Sequence, residues 1–503
     1  MHLLQQYLQR VFYADVRALS LMRIWVAAVL LLDIGIRATD LEAHYSNMGV
    51  LPLHVLHANA WNQYFFSLHA LSGLWQFQAM LFLVAAGAAV AMLLGYHTRW
   101  ATAISWVLLL SLQNRNPLIT QSGDSLLRML LFWGMFLPWH RHYSVDARKI
   151  SPSIDSKPTQ YVSAATVAYL LQVAWVYVFT ALLKSGPDWT TDGTALYYAL
   201  SIDQVLMPGG KLIYPYPELL KFLTHATYYG ELYLPFVLLI PWRTTWWRLL
   251  FIMCIVGLHI GISLTLFVGL FYLISISAVI GLLPTPAMDF LDRRLRVGYG
   301  RVQQRWEGLA KSVASPVRVQ VNVQWQAPRW AQRIPRKYVR EALVLTCLVL
   351  AFWWNLGTLR KPALQFPKAL EAAALVPRLD QNWSMFAPNV FKDDGWYILE
   401  GITTTNKKVD LNQQGKEPDT VKPASVMGLF KNDRWRKYSE NYLFSPNAYM
   451  RPYYCFYLLR RWNEAHPKQE QIQELSVIYM KEFTLPNYKT APLQREVLCH
   501  CKP

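Results

Sequence analysis

The sequence predicts an all-α polytopic membrane bundle of about nine transmembrane helices, followed by a small β-rich exoplasmic domain. Three observations carry that prediction. Apolar residues make up 53% of the 503-residue chain and charged residues 16%, against roughly a quarter charged in soluble proteins. Apolar stretches of bilayer-spanning length recur from residue 20 to residue 358. Beyond them the texture changes to alternation and turn chemistry. The same composition excludes disorder, collagen and coiled coil. The net charge of +18 points first at nucleic acid, but residues 286–340 alone hold twelve Lys/Arg against three Asp/Glu. Half of the excess therefore lies in one loop between apolar segments, which marks a cytoplasmic loop beside anionic lipid, with no nucleic acid implied.

Residues 1–19 form a polar, amphipathic cytoplasmic segment. No cleavage site follows, and the first apolar run contains Arg23, Asp33 and Arg37, so the start does not read as a signal peptide. Crossing the hydrocarbon core takes about 20 residues. By that measure, spans fall near 20–37, 76–95, 100–116, 125–140, 161–183 and 218–240. The run from Leu249 to Leu283 would make a single helix about 50 Å long, too long for a bilayer. It divides near Gly269 into two spans, and a ninth lies at 341–358. The transmembrane domain is thus 20–285, the basic cytoplasmic loop 286–340 and the last transmembrane helix 341–358.

Loop charge sets the orientation. Residues 38–74 contain no Lys or Arg, whereas Arg99, Arg141, Arg148, Lys149, Lys157, Arg243 and Arg248 lie in later loops. With nine spans, every basic loop falls on one side and 38–74 on the other. The N-terminus is then cytoplasmic and the C-terminal domain, 359–503, exoplasmic, in a bacterial plasma membrane more readily than in the ER. This domain alternates at Trp396-Tyr397-Ile398-Leu399 and Leu475-Ser476-Val477-Ile478-Tyr479, with turn chemistry at Asp393-Asp394-Gly395 and Asn412-Gln413-Gln414-Gly415. One or two helices are expected near 448–473. Five cysteines are too few and too scattered for a disulfide framework. Cys499-His500-Cys501 reads as a disordered tail, a metal pair, or a partner for Cys455.

Ionisable groups in or beside spans need a partner or a purpose. Asn116, Asp124 and Arg128 gather where the third and fourth spans end and begin. Asp124 suits a helix N-terminus, and Arg128 stands at ion-pair spacing from it, so a cap and a salt bridge form the plain structural alternative. Lys184 ends the fifth span, with Asp188 and Trp189 just beyond. It either snorkels or, desolvated, serves as a base or nucleophile. Span counting puts Lys184 and Asp124 at one depth, which makes a shared cavity the expectation. Glu231 and His259 fall near mid-membrane, as helix-packing groups or as working ones. His54 and His57 have metal spacing without a third ligand, and no metal is predicted. No phosphate loop, HExxH, GxSxG or CxxC is present, which argues against an ATPase, a zinc protease and an α/β-hydrolase.

In order, the chain shows Arg23-Ile24, Asp33, Arg37, Tyr45-Ser46-Asn47-Met48-Gly49-Val50-Leu51-Pro52, the Asn116–Arg128 cluster and Tyr143-Ser144-Val145-Asp146. Lys184 with Asp188-Trp189 follows, then His259 with Gly269-Leu270-Phe271. This order resembles the HTTM domain, the membrane domain shared with vitamin K-dependent γ-carboxylase, over roughly residues 15–290. Trp383-Ser384-Met385-Phe386-Ala387-Pro388 and Asp394-Gly395-Trp396-Tyr397 are similar to segments that follow it in bacterial members. The resemblance implies a membrane-embedded lysine, here Lys184, that deprotonates vitamin K hydroquinone. The alkoxide formed with oxygen then removes a γ-proton from a peptide glutamate, and the carbanion captures carbon dioxide. Asp124 and His259 would stand in the catalytic site, with Asn116, Arg128, Asp188, Trp189 and Glu231 around the quinone. The cofactor implied is vitamin K hydroquinone or another quinol; the partners are the bilayer and a peptide glutamate. This chain departs from the pattern in three ways. Asp124 replaces a histidine, the carboxylase cysteine pair is missing, and the C-terminal region is short for gripping a propeptide. The competing readings are a non-enzymatic membrane subunit that binds partners through its exoplasmic domain and, ranked last, a transporter using Glu231 and His259.

Overall fold

A computed structural model of the chain describes residues 2–148, 159–294 and 336–503. Most of the basic 286–340 loop, with Lys149 and Lys157, lies outside the described residues. The longer helices, numbered here in chain order, are α1 Val16–Ala38, α2 Trp75–Leu94, α3 Thr98–Arg115, α4 Ser122–Gly134, α5 Ala164–Leu183, α6 Pro217–Tyr233, α7 Thr244–Thr265, α8 Phe271–Ile280 and α9 Arg336–Thr358. Each falls on one of the expected spans.

Five of them, α1, α2, α5, α7 and α9, are long and apolar enough to cross a membrane; α8 with Thr285–Arg294, bent by 103°, makes a sixth if the pair is one span. Among the described residues, nine helices of that length and apolarity are not found, for physical reasons. The 13 residues of α4 rise only about 20 Å. The 17-residue α6 gives way at Leu234–Leu239 to a 3-10 turn carrying Pro235, whose ring cannot continue the ladder. The end of α3 is polar, with Ser111, Gln113, Asn114 and Arg115 all buried in protein. The expected break near Gly269 is present: its φ is +59°, and an added Cβ would meet the Asp433 carboxylate, so this corner favours a glycine in both conformation and space. Burial ranks the helices. The apolar window of α5 is 67% buried and that of α7 only 22%, so α5 is the central helix and α7 a peripheral one.

The C-terminal unit contains one antiparallel sheet of β1 Asp393–Thr403, β2 Lys408–Asp410, β3 Ile472–Leu485, β4 Lys489–Thr490 and β5 Gln494–Cys501. β2 pairs with β1, and β1 with β3; β4 and β5 pair with β3 as well. The two alternating segments read from sequence face each other, with Tyr397 opposite Tyr479 and Ile398 opposite Ile478. Helix α10, Asp433–Leu443, and helix α11, Arg451–Ala465, accompany the sheet; α11 lies in the expected region, whereas α10 does not. Gln414 and Gly415 both take positive φ, as a turn there requires. Asp393-Asp394-Gly395, expected as a turn, opens β1 instead, because β3 offers it a ladder partner. The 499–501 tail is likewise not disordered. It ends β5, where Cys501 is bonded to Cys455, His500 Nδ1 bonds the Ser476 hydroxyl at 3.0 Å, and Cys499 is free. The main hydrophobic cluster among the described residues joins both parts, running from Leu19 and Leu130 in the helices to Trp383, Tyr438 and Val477.

Candidate functional site

Lys184 caps the C-terminus of α5. It is 4% exposed, beside Glu231 of α6 at 7%. Its Nζ donates to Glu231 Oε2 at 2.5 Å and lies 4.1 Å from the ring centroid of Trp189, within cation–π range. The chain after α5 is held from outside the bundle. Gly186 N donates to Pro388 O at 3.0 Å, and Trp189 Nε1 donates to Phe386 O at 2.8 Å. A side chain at Gly186 would collide with Asn389. The Trp383–Pro388 segment thus fixes the indole on which the lysine rests.

Two turns before Lys184, on the same face of α5, stands Tyr177. Its hydroxyl lies 3.1 Å from His259 Nε2 on α7. The seven-residue spacing from Lys184 is the sequence signal that marks Tyr177. His259 Nδ1 and Asp188 Oδ2 are buried with no hydrogen-bond partner among the described residues. The other oxygen of Asp188 is 3.2 Å from the Thr194 hydroxyl and 3.4 Å from Lys392 Nζ. Lys184, Asp188, Trp189, Glu231 and, through Tyr177, His259 therefore belong to one region where α5, α6 and α7 meet.

Asp124 belongs to a second cluster. Arg37 donates to its Oδ1 at 2.5 Å, and Arg434 of α10 donates to Oδ2 at 2.6 Å and to Oδ1 at 3.0 Å. Gln121 N donates to Oδ2 at 2.8 Å, so the expected cap at the start of α4 exists. Asp33 closes the ring, accepting from Arg37 at 2.8 Å and from Arg434 at 2.6 Å. No hydrogen bond or ion pair joins Asp124 to Lys184 among the described residues. The Asp124–Arg128 salt bridge is corrected: Arg128 points to Gln113 Oε1 at 2.8 Å and to the carbonyls of Arg378 at 3.0 Å and Asp380 at 2.5 Å. Those carbonyls outcompete a carboxylate already filled by two guanidinium groups. Asn116 donates to His44 O at 2.9 Å and accepts from Leu118 N, which makes it a loop brace beside this cluster. His54 meets Tyr453, and His57 packs on Trp61. No sequence signal marked Arg434, an arginine in the first turn of a polar helix more than 300 residues away.

No family model, curated protein or solved structure matches the chain. The chemistry is therefore argued from these two clusters.

Two predictions follow from the second cluster. Removing one partner of a buried ion network leaves an uncompensated charge, at a cost of about 3–5 kcal/mol. Arg434→Met is expected to lower stability by that amount in denaturant unfolding of the detergent-solubilised protein; an unchanged midpoint would refute the keystone role. His44 packs 4.4 Å from Trp435. Burial pushes its imidazole down to about 3; Asp40 opposes the shift, and Arg37 and Arg434 add to it. The folded state thus leaves His44 neutral, while the unfolded state protonates it near 6.5. Its contribution is complete above pH 6.5 and is lost as pH falls toward 3. His44→Gln is therefore expected to flatten the loss of thermal stability between pH 7 and pH 4.5, and parallel curves for both proteins would contradict this.

Proposed function

We propose that the protein is a quinol-using integral-membrane enzyme of carboxylase-like type, with Lys184 as the base that takes a proton from a quinol hydroxyl. The observation that carries the proposal is the buried Lys184–Glu231 pair resting on Trp189. A lysine accepts a proton only once it has released its own, and Glu231 is placed to receive it. In a dry site, a neutral amine beside a neutral carboxyl avoids the cost of two buried charges. Trp189, Tyr177 and His259 would form the apolar wall and polar contact for an aromatic quinol, and the unpartnered His259 Nδ1 and Asp188 Oδ2 leave hydrogen-bonding capacity open there. When bound, vitamin K hydroquinone or another quinol would supply the electrons and, with oxygen, the strong base that carboxylation of a peptide glutamate needs. In this reading Asp124 holds the frame rather than the proton. Arg128 and Asn116 brace the same frame.

A second reading, a non-enzymatic HTTM-like subunit that binds partners, draws on a different feature. A cavity of about 600 Å³ lies between residues 39–43 and the C-terminal unit, lined by Trp435, Tyr454, Tyr457 and Trp462. For topology, we place the N-terminus in the cytoplasm and residues 359–503 outside. Loop charge supports this arrangement, as does the Cys455–Cys501 disulfide, since such bonds persist in oxidising compartments.

The base role is tested with Lys184→Ala and Lys184→Arg in a quinol-dependent assay. Arginine keeps the charge but does not give up its proton, so both variants are expected to lose at least about 100-fold, the usual scale of acid–base catalysis. Full activity in the alanine variant would end this reading and favour the partner-binding one. Topology is tested with Glu417→Cys and Gln304→Cys in a background lacking the free Cys254, Cys347 and Cys499, using an impermeant maleimide on intact cells. Position 417 is expected to label and position 304 not; the reverse pattern would overturn the orientation.

A further inference from the structure

Away from Lys184, three carboxylates meet where the C-terminal sheet rests on the loop after residue 201. Asp394 on β1 and Glu482 on β3 are direct partners in the antiparallel register. Asp203 comes from the helical domain, and its backbone N donates to Asp394 Oδ2 at 2.5 Å. Each residue offers an oxygen within 4.8 Å of the others. Like charges directly opposite on a sheet repel, so the arrangement calls for a cation. One is present: the Lys422 ammonium bonds both Asp203 and Glu482. It makes no ion pair with Asp394 among the described residues. That residue is 3% exposed, and its Oδ1 has no hydrogen-bond partner among the described residues. Three carboxylates against one ammonium leave the group two charges in excess.

We propose that Asp203, Asp394 and Glu482 form a calcium-class divalent cation site, and that Lys422 is a tethered cation standing in its place. Calcium takes carboxylate oxygens at about 2.3–2.6 Å in irregular shells of six to eight, so oxygens on opposite sides of one ion lie about 4.6–5.2 Å apart, a span that accommodates this trio. Waters and nearby carbonyls would complete the shell. Two positive charges in place of one would reduce the excess, and Lys422 can leave: its side chain is 37% exposed on an irregular stretch without helix or strand. Bound there, the ion would clamp the sheet to the helical domain, since Asp203 belongs to one and Asp394 and Glu482 to the other. The inference is independent of the quinol reading.

The Lys422 ammonium lies 5.8 Å from the Trp396 ring, so terbium in its place would be within range of indole sensitisation. The test is terbium luminescence of the purified full chain in detergent, excited through tryptophan and competed with calcium or magnesium, together with thermal unfolding in chelator and in millimolar calcium. Wild type is expected to give calcium-displaceable emission that Trp396→Phe reduces at least two-fold. Asp394→Asn should weaken binding at least ten-fold. Lys422→Gln should bind at least ten-fold more tightly and should depend on calcium for its melting temperature. Lys422 would be a plain salt-bridge partner, and the proposal wrong, if Lys422→Gln melts lower than wild type and calcium does not restore it. Emission that is equal in wild type and Asp394→Asn would also overturn it. Displacement by magnesium as readily as by calcium would overturn the calcium assignment.

Discussion

Asp33, Arg37, Asp124 and Arg434 are each no more than 2% exposed, and together they sum to zero charge. Burying an ion costs several kcal/mol unless geometry and hydrogen bonds offset it, so none of the four is stable there without the others. Both oxygens of each aspartate are engaged, and Arg37 is used at three nitrogens, with Tyr45 accepting from the third at 2.9 Å. Two of the four come from α1, one from α4 and one from α10. The C-terminal unit therefore cannot separate from the helices without leaving two carboxylates facing a single arginine inside an apolar bundle. Around this cluster, Gln121 bonds Asp433 at 2.7 Å, and the close approach of Gly269 to the same aspartate ties in the corner between α7 and α8.

With the unit so anchored, its other edges have fixed destinations. The 383–389 segment lies over the chain that follows α5, where Phe386 O and Pro388 O accept from Trp189 and Gly186. Further along, Asp394 accepts from Asp203. These contacts lie far apart in sequence, yet all depend on one rigid orientation of the sheet. The placement of Trp189 under Lys184 is thus a consequence of docking, and the lysine of the helical domain depends on residues about 200 positions downstream.

Much of the architecture was legible because hydrophobic length and alternation are local properties. The membrane-domain helices and the break at Gly269 follow from the length of apolar runs, and the strand segments at 396–399 and 475–479 from alternation. Nine crossings are not confirmed among the described residues, because a length rule treats every apolar run as facing lipid. The polar end of α3 and the short α4 are buried by protein, and the sequence does not mark which solvent a face meets. The partners were the least legible. Asp33, Arg37, Asp124, Lys184, Glu231 and His259 all stood out as costly charges or buried polar groups, but their pairings are long-range. Arg434 and Lys422 are ordinary surface-type residues by composition, distinguished only by what the fold places opposite them.

The two buried charge clusters differ in a way that bears on their roles. In the Asp33–Asp124 ring the carboxylates are saturated, and only the Arg434 Nε lacks a partner among the described residues. Around Lys184 the balance is looser. One ion pair stands in the same region as an imidazole nitrogen of His259 and a carboxylate oxygen of Asp188 that have no hydrogen-bond partner among the described residues. Buried polar groups in folded proteins are nearly always satisfied, and exceptions concentrate where a protein keeps capacity for chemistry or for a ligand. A saturated network resists proton movement, because each proton shift would strand a charge. A two-member pair of opposite sign can exchange one proton and become neutral. That asymmetry is consistent with a structural role for the first cluster, and it is why the proposed proton chemistry is placed at the second.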